Sequence, residues 1–203
     1  MRSIVTGGTG FIGSNLADTL AQHHDVVIID NLATGRRENI EHLLDHPRVT
    51  FIEGSITDLD LLKETFPGAD GIFHQAAIPS VPRSASIEVN MDGTVSVLVA
   101  AKDCGVPAVV AASSSSVYGD TPVLPKHEGM APNPLSPYAV TKFADECYGK
   151  VFSDLYGIRT VFQHDQTVLE CRGAVWISLR KVLHISSFPD CRGRGRKRRV
   201  TAG

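Results

Sequence analysis

The sequence lacks any apolar run close to the roughly 18 residues that a membrane-spanning helix needs, so no membrane partner is expected. It has four cysteines but no Cys-x-x-Cys pair, which argues against a metal site and favours a reducing, cytoplasmic setting. It also lacks an internal repeat, and its first residues resemble a β-strand rather than a signal peptide. A chain of 203 residues with ordinary composition then predicts one globular domain, or one domain and a fragment.

Charge is distributed unevenly along the chain. The net charge is −2, yet residues 171–203 contain nine Lys and Arg and one acid, Asp190. The first 170 residues are acidic, with 11 Lys and Arg against 21 Asp and Glu. We therefore interpret the last stretch as a different kind of sequence from the rest.

The N-terminus combines a strand, a tight turn and the start of a helix. A β-branched run at residues 4–6 meets three glycines at a spacing of three, Gly7, Gly10 and Gly13. In such a turn, backbone N–H groups and the positive end of the helix face a pyrophosphate. One side of the following helix is predicted to comprise Phe11, Ile12, Leu16 and Leu20. Glycines also make ordinary turns, but this context predicts dinucleotide binding.

An acid ends the second predicted strand, at residues 25–30. Asp30 follows Gly13 by 17 residues, near the position from which a carboxylate hydrogen-bonds the adenosine ribose. Its charge would repel a 2′-phosphate, which favours NAD over NADP, and we interpret Arg36 and Arg37 as loop cations. The alternative is a solvated acid at the end of a strand.

Strands and helices are predicted to alternate along the chain. Further strands are expected at residues 49–54, 71–74 and 107–113 and from residue 159. Helices are expected at residues 59–66, at about 86–104 and from Pro137 to about Tyr156. This order predicts an α/β fold, a doubly wound parallel sheet with right-handed crossovers.

Two polar residues near the predicted strands have competing interpretations. Asp58 precedes a predicted helix, so it could cap that helix, contact the adenine of the cofactor, or do both. His74 ends the fourth strand, where we expect it to pack in the sheet rather than to act in catalysis.

Tyr138 and Lys142 are four residues apart in a predicted helix, so they share one face. An ammonium beside a phenol lowers the tyrosine pKa from about 10, which makes tyrosine a general base near neutral pH. The serines of residues 113–116, at the end of the fifth strand, could hydrogen-bond the same substrate hydroxyl. A Tyr-x-x-x-Lys pair also occurs by chance, but together with the glycine turn and Asp30 it favours catalysis.

Four segments together resemble the extended short-chain dehydrogenase/reductase family, and within it the UDP-hexose 4-epimerases. They are residues 7–13, Asp30-Asn31-Leu32 with Gly35-Arg36, residues 113–119, and Tyr138-Ala-Val-Thr-Lys142. The resemblance covers residues 1–161, the expected Rossmann domain. It implies NAD as cofactor, a nucleotide-sugar substrate such as a UDP-hexose, and a homodimer formed through the helices around residues 86–104 and 138–156.

The resemblance also implies roles for single residues. The cofactor is expected to contact Gly7, Gly10, Phe11, Ile12, Gly13, Asp30, Asn31, Asp58, Ala76, Ala77, Asn90, Tyr138 and Lys142. The substrate is expected to contact Ser80, Val81, Ser114, Ser116 and Tyr138. The expected catalytic residues are Ser114, Tyr138 and Lys142. Tyr138 takes the proton of the sugar 4-hydroxyl while C4 gives a hydride to NAD, and the 4-keto sugar turns over before it is reduced.

Other members of the family remain as alternatives. A sugar 4,6-dehydratase carries an Asp-Glu pair where this chain has Ser115-Ser116, so the acid that eliminates water is missing here. A reductase or an epimerase of another sugar nucleotide stays open.

The resemblance ends after Val161. The family has Arg-Tyr-Phe-Asn-Val-Tyr-Gly-Pro or a close variant there, whereas this chain has Phe162-Gln-His-Asp, and the C-terminal substrate domain is expected to be missing. Residues 162–203 are interpreted as a nucleic-acid contact or localisation signal, as a disordered tail, or, as we favour, as a frameshift product. No nucleic-acid partner is expected. We expect NAD binding with weak or absent epimerase activity, the alternative being an inactive NAD-binding module.

Overall fold

The computed structural model describes residues 1–78, 87–122 and 124–164. Ser80 and Val81, which were predicted to border the sugar, lie outside the described residues, and so does the predicted tail from residue 165 onward. In the described part of the chain, six strands and five α-helices alternate.

The elements follow the predicted order. The strands are β1 (Arg2–Thr6), β2 (Asp25–Asp30), β3 (Val49–Glu53), β4 (Gly71–His74), β5 (Ala108–Ala112) and β6 (Arg159–Gln163). The α-helices are α1 (Phe11–Ala21), α2 (Glu41–Leu44), α3 (Leu59–Thr65), α4 (Gly93–Asp103) and α5 (Pro137–Tyr156). Shorter turns are the 3-10 segments Arg37–Ile40 and Ser115–Tyr118 and the π-helical segment Glu88–Asp92.

All six strands form one parallel sheet in the order β3-β2-β1-β4-β5-β6. The chain builds outward from β1 to β3 on one side and from β4 to β6 on the other. Successive strands are therefore added in opposite senses on the two sides of the boundary between β1 and β4, where Val5 lies opposite Phe73. In an open parallel sheet, the crevice at the carboxyl ends of the two strands flanking such a boundary is where ligands bind. The predicted doubly wound sheet is confirmed.

The core consists of two apolar clusters, one on each face of the sheet. Side chains alternate between faces along a strand, so Ile4 joins one cluster and its neighbour Val5 joins the other. Helices α3 and α4 cover the face of Ile4, and α1 covers the face of Val5. Because both faces are covered, the central strands are continuous apolar runs, as parallel strands usually are.

Two local predictions need correction. Phe11 was expected on the buried side of α1 but is 79% exposed. At about 100° per residue it lies roughly 180° around the helix from Leu20, which is buried against the sheet. The helix predicted at about residues 86–104 is present from Ile87 to Asp103, but its first turns, Glu88–Asp92, are π-helical rather than α-helical. Within the described residues, no helix combines the length and apolarity needed to cross a membrane.

Candidate active site

The glycine turn between β1 and α1 lies at the boundary between β1 and β4. Gly7 has φ +70°, and a Cβ there would come within 2.5 Å of the backbone nitrogen of Ala76. A Cβ on Gly13 would overlap the carbonyl oxygen of Gly7. These two glycines are therefore needed to pack β1, α1 and the end of β4 together.

Gly10 has a different role in the same turn. Its φ is −73°, which any residue adopts, and the nearest atom to an added Cβ is the Gly7 carbonyl oxygen at 3.3 Å. Gly10 lines a cavity between the ends of β1 and β4. Its missing side chain therefore leaves space for a ligand rather than for backbone atoms of the protein.

Helix α1 begins at Phe11, immediately after Gly10, which lines this cavity. Its N-cap, Gly10, has no side chain with which to cap the helix, so the first backbone N–H groups stay available to a ligand. Phe11 and Ile12 present backbone N–H groups at this end of the helix, and the Phe11 side chain is 79% exposed. An uncapped helix N-terminus above a cleft kept open by glycine fits a pyrophosphate.

Asp30, at the end of β2, is fixed by two backbone hydrogen bonds. Its carboxylate accepts from the N–H of Thr9 at 3.0 Å and from that of Leu32 at 2.9 Å. The first bond ties β2 to the glycine turn, which places the carboxylate in the wall of the cavity. Each carboxylate oxygen has a second lone pair, so both can still accept from ribose hydroxyls.

The cavity has a volume of about 140 Å³ and joins segments that are distant in sequence. Its walls include the predicted cofactor residues Gly7, Gly10, Asp30, Asn31, Ala76 and Ala77. Gly54, Ser55 and Ile56 line it from the end of β3. Asp58, further along this segment, accepts from the N–H of Leu61 at 3.1 Å and so caps α3. The predicted capping role of Asp58 is confirmed, and its contact with adenine stays a prediction.

The end of β4 is held by buried polar groups. His74 is 2% exposed, and its ring nitrogens lie 2.7 Å from the Thr6 hydroxyl and 3.0 Å from the Thr94 hydroxyl. Burial, together with the nearby charge of Lys142, lowers the pKa of His74 to about 3. The imidazole is therefore neutral and structural, as predicted.

Asn90, in the π-helical segment, supports the wall of the cavity beyond β4. It is fully buried, its Oδ1 accepts from the N–H of Ile78 at 2.8 Å, and its Nδ2 donates to the Ile78 carbonyl at 3.1 Å. These paired bonds replace the ladder partners that the chain loses when it leaves the sheet. Asn90 thus holds Ile78, which lines the cavity, and its predicted contact with the cofactor stays a prediction.

The serines after β5 point in different directions. Ser113 donates to Glu146 of α5 in a short hydrogen bond, whereas Ser114 accepts from the Ser116 hydroxyl at 2.9 Å and from the Ser116 N–H at 3.2 Å. Because its oxygen accepts both bonds, Ser114 keeps its own proton to donate. Ser114 is 5% exposed and has Ser116 beside it, and its catalytic role stays a prediction.

Helix α5 carries Tyr138 and Lys142 in its first two turns. Ser136 caps it by accepting from the Ala139 N–H at 3.1 Å, and Pro137 occupies the first position, where its missing N–H costs nothing. Lys142 is 2% exposed, and its Nζ donates to the carbonyl oxygen of Ala112, the last residue of β5, at 3.0 Å. The ammonium therefore lies at the carboxyl end of β5, next to the serine segment.

Two acids on α5 are part of this site but were not singled out from the sequence. Asp145 lies 3.4 Å from the Lys142 ammonium and is 1% exposed. Glu146 binds Ser113 and lies 3.0 Å from His164, and these hydrogen bonds outweigh burial, so its pKa lies below its usual range. Their positions three and four residues after Lys142, on the same face of a helix, were the signal available in the sequence.

Comparison with known proteins agrees with this arrangement. The profile of the NAD dependent epimerase/dehydratase family matches residues 3–163. The UDP-glucose 4-epimerase of Mycolicibacterium smegmatis is 44% identical over 168 residues, which cover 78% of this chain and 53% of that protein. This chain thus spans about half the length of the curated relatives that it matches.

Solved structures share the fold at similar coverage. The UDP-N-acetylglucosamine 4-epimerase of Methanobrevibacter ruminantium, in complex with UDP-N-acetylmuramic acid, is 37% identical with a TM-score of 0.75, over 79% of this chain and 53% of that chain. A dTDP-glucose 4,6-dehydratase of Streptomyces venezuelae with NAD bound is 34% identical with a TM-score of 0.77, over 81% of this chain and 55% of that chain. The family profile covers most of the sequence and the glycine turn fits a dinucleotide, so this chain belongs to the NAD dependent epimerase/dehydratase family, whose cofactor is NAD.

Proposed function

We propose that this chain carries the cofactor site and the catalytic groups of a nucleotide-sugar 4-epimerase, most like UDP-glucose 4-epimerase, with a UDP-hexose as substrate. One observation carries the proposal: the buried Lys142 ammonium reaches the end of β5, where Ser114 lies, while Tyr138 is one helical turn away. A base, a cation and a hydroxyl donor thus converge beside the dinucleotide cleft. Such a set suits reversible oxidation of a sugar hydroxyl.

The cofactor residues act through backbone and carboxylate groups. The N–H groups of Phe11 and Ile12 bind the pyrophosphate, and Asp30 and Asn31 bind the adenosine ribose. Lys142, which has one N–H left after its bonds to Ala112 and Asp145, holds the nicotinamide ribose. Bound NAD supplies a hydride acceptor at the sugar carbon and returns the hydride afterwards.

Side chains of this protein transfer the proton of the sugar 4-hydroxyl. Tyr138 accepts the proton of the sugar 4-hydroxyl, assisted by the positive charge of Lys142. Ser114 donates its free proton to the same sugar oxygen, because Ser116 already occupies the acceptor side of the Ser114 hydroxyl. Ser114 thus orients the sugar, and Tyr138 later returns the proton to the 4-keto oxygen.

The chemistry of the serine turn distinguishes this proposal from a dehydratase. A dehydratase needs an acid to protonate the leaving hydroxyl, and at the corresponding positions this chain has Ser115 and Ser116. A serine hydroxyl is too weak an acid for that step at neutral pH. We therefore expect dTDP-glucose to be released without loss of water.

The test is a pair of measurements on the purified chain. Calorimetry with NAD measures cofactor binding, and a coupled assay with UDP-galactose measures conversion to UDP-glucose. Binding and turnover in the parent, with turnover lost and binding kept in Tyr138→Phe, would support the proposal. Absence of NAD binding would contradict it.

A second candidate function is an NAD-binding module without turnover. It is favoured by the segment after Val161, which lacks the substrate-side residues that the family has there. NAD binding without conversion of UDP-galactose would establish this function. Turnover that disappears in Tyr138→Phe would exclude it.

We also propose that α5 takes part in a homodimer. This helix exposes an apolar stripe formed by Val140, Tyr148, Val151 and Leu155, of which Leu155 is 68% exposed. Their spacing of eight, three and four residues keeps them on one face. A second copy of this face would cover the stripe by two-fold pairing.

A further inference from the structure

Asp145 is an unusual residue for its position, because almost no water reaches it. It is 1% exposed, and its Oδ1 has no hydrogen-bond partner among the described residues. Its Oδ2 lies 3.4 Å from the Lys142 ammonium, longer than the roughly 2.7–2.9 Å of a strong charge-assisted hydrogen bond. A buried pair with such geometry does little for stability, since desolvation offsets the attraction.

The order of groups along α5 suggests another role. Tyr138, Lys142 and Asp145 occupy positions i, i+4 and i+7, so they follow one another along one face of the helix. Lys142 therefore comes between Tyr138 and Asp145 along the helix axis, and its ammonium lies 3.4 Å from the Asp145 carboxylate. Asp145 attracts this ammonium, and the negative charge of Asp145 offsets part of the potential that Lys142 exerts on a phenol carried by the same helix face.

We propose that Asp145 is a positioning residue that anchors the Lys142 ammonium at the end of β5 and limits how strongly this ammonium favours the Tyr138 phenolate. The inference rests on the proposed function in taking Tyr138 as the base. Axial separations are about 6 Å from Tyr138 to Lys142 and about 10 Å from Tyr138 to Asp145, at 1.5 Å per residue. The nearer cation dominates, and the carboxylate reduces its effect without reversing it.

The surroundings of Asp145 are consistent with this role. Burial raises the pKa of Asp145 to about 6, against the opposing effect of Lys142. The other groups that face the pair are Glu146 on α5, the Thr94 hydroxyl on α4, and the neutral His74 on β4. Asp145 is therefore ionised throughout the alkaline range in which a phenol titrates.

The test is the alkaline titration of Tyr138, followed by tyrosinate absorbance without NAD or substrate. The chain has four tyrosines, so the signal of Tyr138 is isolated by subtracting the titration of the matching Tyr138→Phe protein. Asp145→Asn is expected to lower the Tyr138 midpoint by about 0.5 to 1 pH unit, from the Coulomb term at about 10 Å. Asp154→Asn, a matched change at an exposed site on the same helix, is expected to leave it unchanged.

A second comparison shows whether Asp145 acts through Lys142. In a Lys142→Met background only the direct Coulomb term between the Asp145 carboxylate and the phenol remains, so Asp145→Asn is expected to lower the midpoint less than it does when Lys142 is present. Equal shifts in the two backgrounds would overturn the positioning role. An unchanged or raised midpoint in folded Asp145→Asn would overturn the proposal. If Asp145→Asn does not fold, Asp145→Ala is titrated instead, and unfolding of both would overturn the positioning role in favour of a purely structural one.

The titration requires neither cofactor nor turnover, so it is independent of the test of the proposed function. A chain that fails to bind NAD would refute the epimerase while the Tyr138 midpoints still decide the role of Asp145. A chain that turns over UDP-galactose with equal midpoints in parent and Asp145→Asn would refute only the role of Asp145.

Discussion

Gly7, Gly10 and Gly13 form one motif, yet their side chains are missing for different reasons. Gly7 and Gly13 leave space for backbone atoms of the fold, whereas Gly10 leaves space in the cavity. The motif spacing alone does not distinguish the two cases, because it does not show which atoms surround each glycine.

Substitution of Gly10 therefore separates binding from folding. Gly10→Ala is expected to lower NAD affinity at least tenfold, because the new methyl group enters the space for the pyrophosphate, while the free energy of unfolding falls by no more than about 1 kcal/mol. Calorimetry and urea denaturation measure the two quantities. Gly7→Ala is the control and is expected to unfold the protein, since it combines φ +70° with a clash against Ala76. Undiminished NAD affinity in Gly10→Ala would contradict this account of the turn.

The buried side chain of His74 makes the stability of the folded chain depend on pH. The pKa of His74 is about 3 in the folded chain and about 6.5 for an exposed imidazole in the unfolded chain, so between these values the unfolded chain binds more protons. The contribution of His74 to stability is thus complete above about pH 6.5 and is lost as the pH falls toward 3.

The replacement His74→Gln is expected to remove this term. Between pH 6 and 4 its free energy of unfolding should fall less steeply than that of the parent, by up to about 1.4 kcal/mol per pH unit. Urea denaturation across this range measures the slope, with the exposed His42→Gln as matched control. Equal slopes in His74→Gln and the parent would show that His74 becomes protonated in the folded chain.

At the scale of elements, the ends of helices and strands carry most of the site. The proposed cofactor cleft combines the glycine turn before α1, the ends of β2 and β3, and the segment after β4, while the proposed catalytic groups lie at the end of β5 and the start of α5. Helix α5 begins at Pro137 because Ser136 caps it, and this cap fixes the turn that carries Tyr138.

Substitutions of Asp58 test whether this helix-capping residue also binds the adenine of the cofactor. Asp58→Ala is expected to lower the free energy of unfolding by about 1 kcal/mol through loss of the α3 cap, whereas Asp58→Ser keeps a capping oxygen and most of the stability. The shorter serine cannot reach an adenine, so NAD affinity is expected to fall in both variants. Denaturation and calorimetry measure the two effects. Parent-like NAD affinity in Asp58→Ser would restrict Asp58 to the cap.

At the scale of the whole molecule, the described chain contains a covered sheet, a cofactor cleft and one exposed apolar helix face. The apolar stripe of α5 defined above is the feature that predicts self-association.

Replacement of one residue in the stripe tests the dimer. Leu155→Lys is expected to shift the chain from dimer to monomer, because a charge would be buried in a face that is otherwise apolar. Sedimentation velocity measures the change. Glu41→Lys, on the opposite layer of the sheet, is the control and is expected to remain dimeric. A parent that sediments as a monomer at high concentration would contradict the proposed dimer.

The sequence by itself determined the order of strands and helices, the glycine turn, the acid after β2 and the pairing of Tyr138 with Lys142. Each depends on local rules: alternation of apolar residues, turn chemistry, helix caps and helical spacing. The sequence also predicted correctly that His74 would pack in the sheet, because it ends a buried strand. The same local reasoning failed for Phe11, since the first residue of a helix was assigned to a face without knowing where the sheet lies.

Only the tertiary structure decided which side chains surround one another across the sheet. It showed that Lys142 reaches the end of β5, that Glu146 binds Ser113, and that Asp145 lies buried behind Lys142. The physical reason is that burial and electrostatic coupling depend on neighbours from β4, α4 and β5, which are far from α5 in sequence. A spacing of three residues places Asp145 on the face of Lys142, but only the packing of these elements excludes water from the pair.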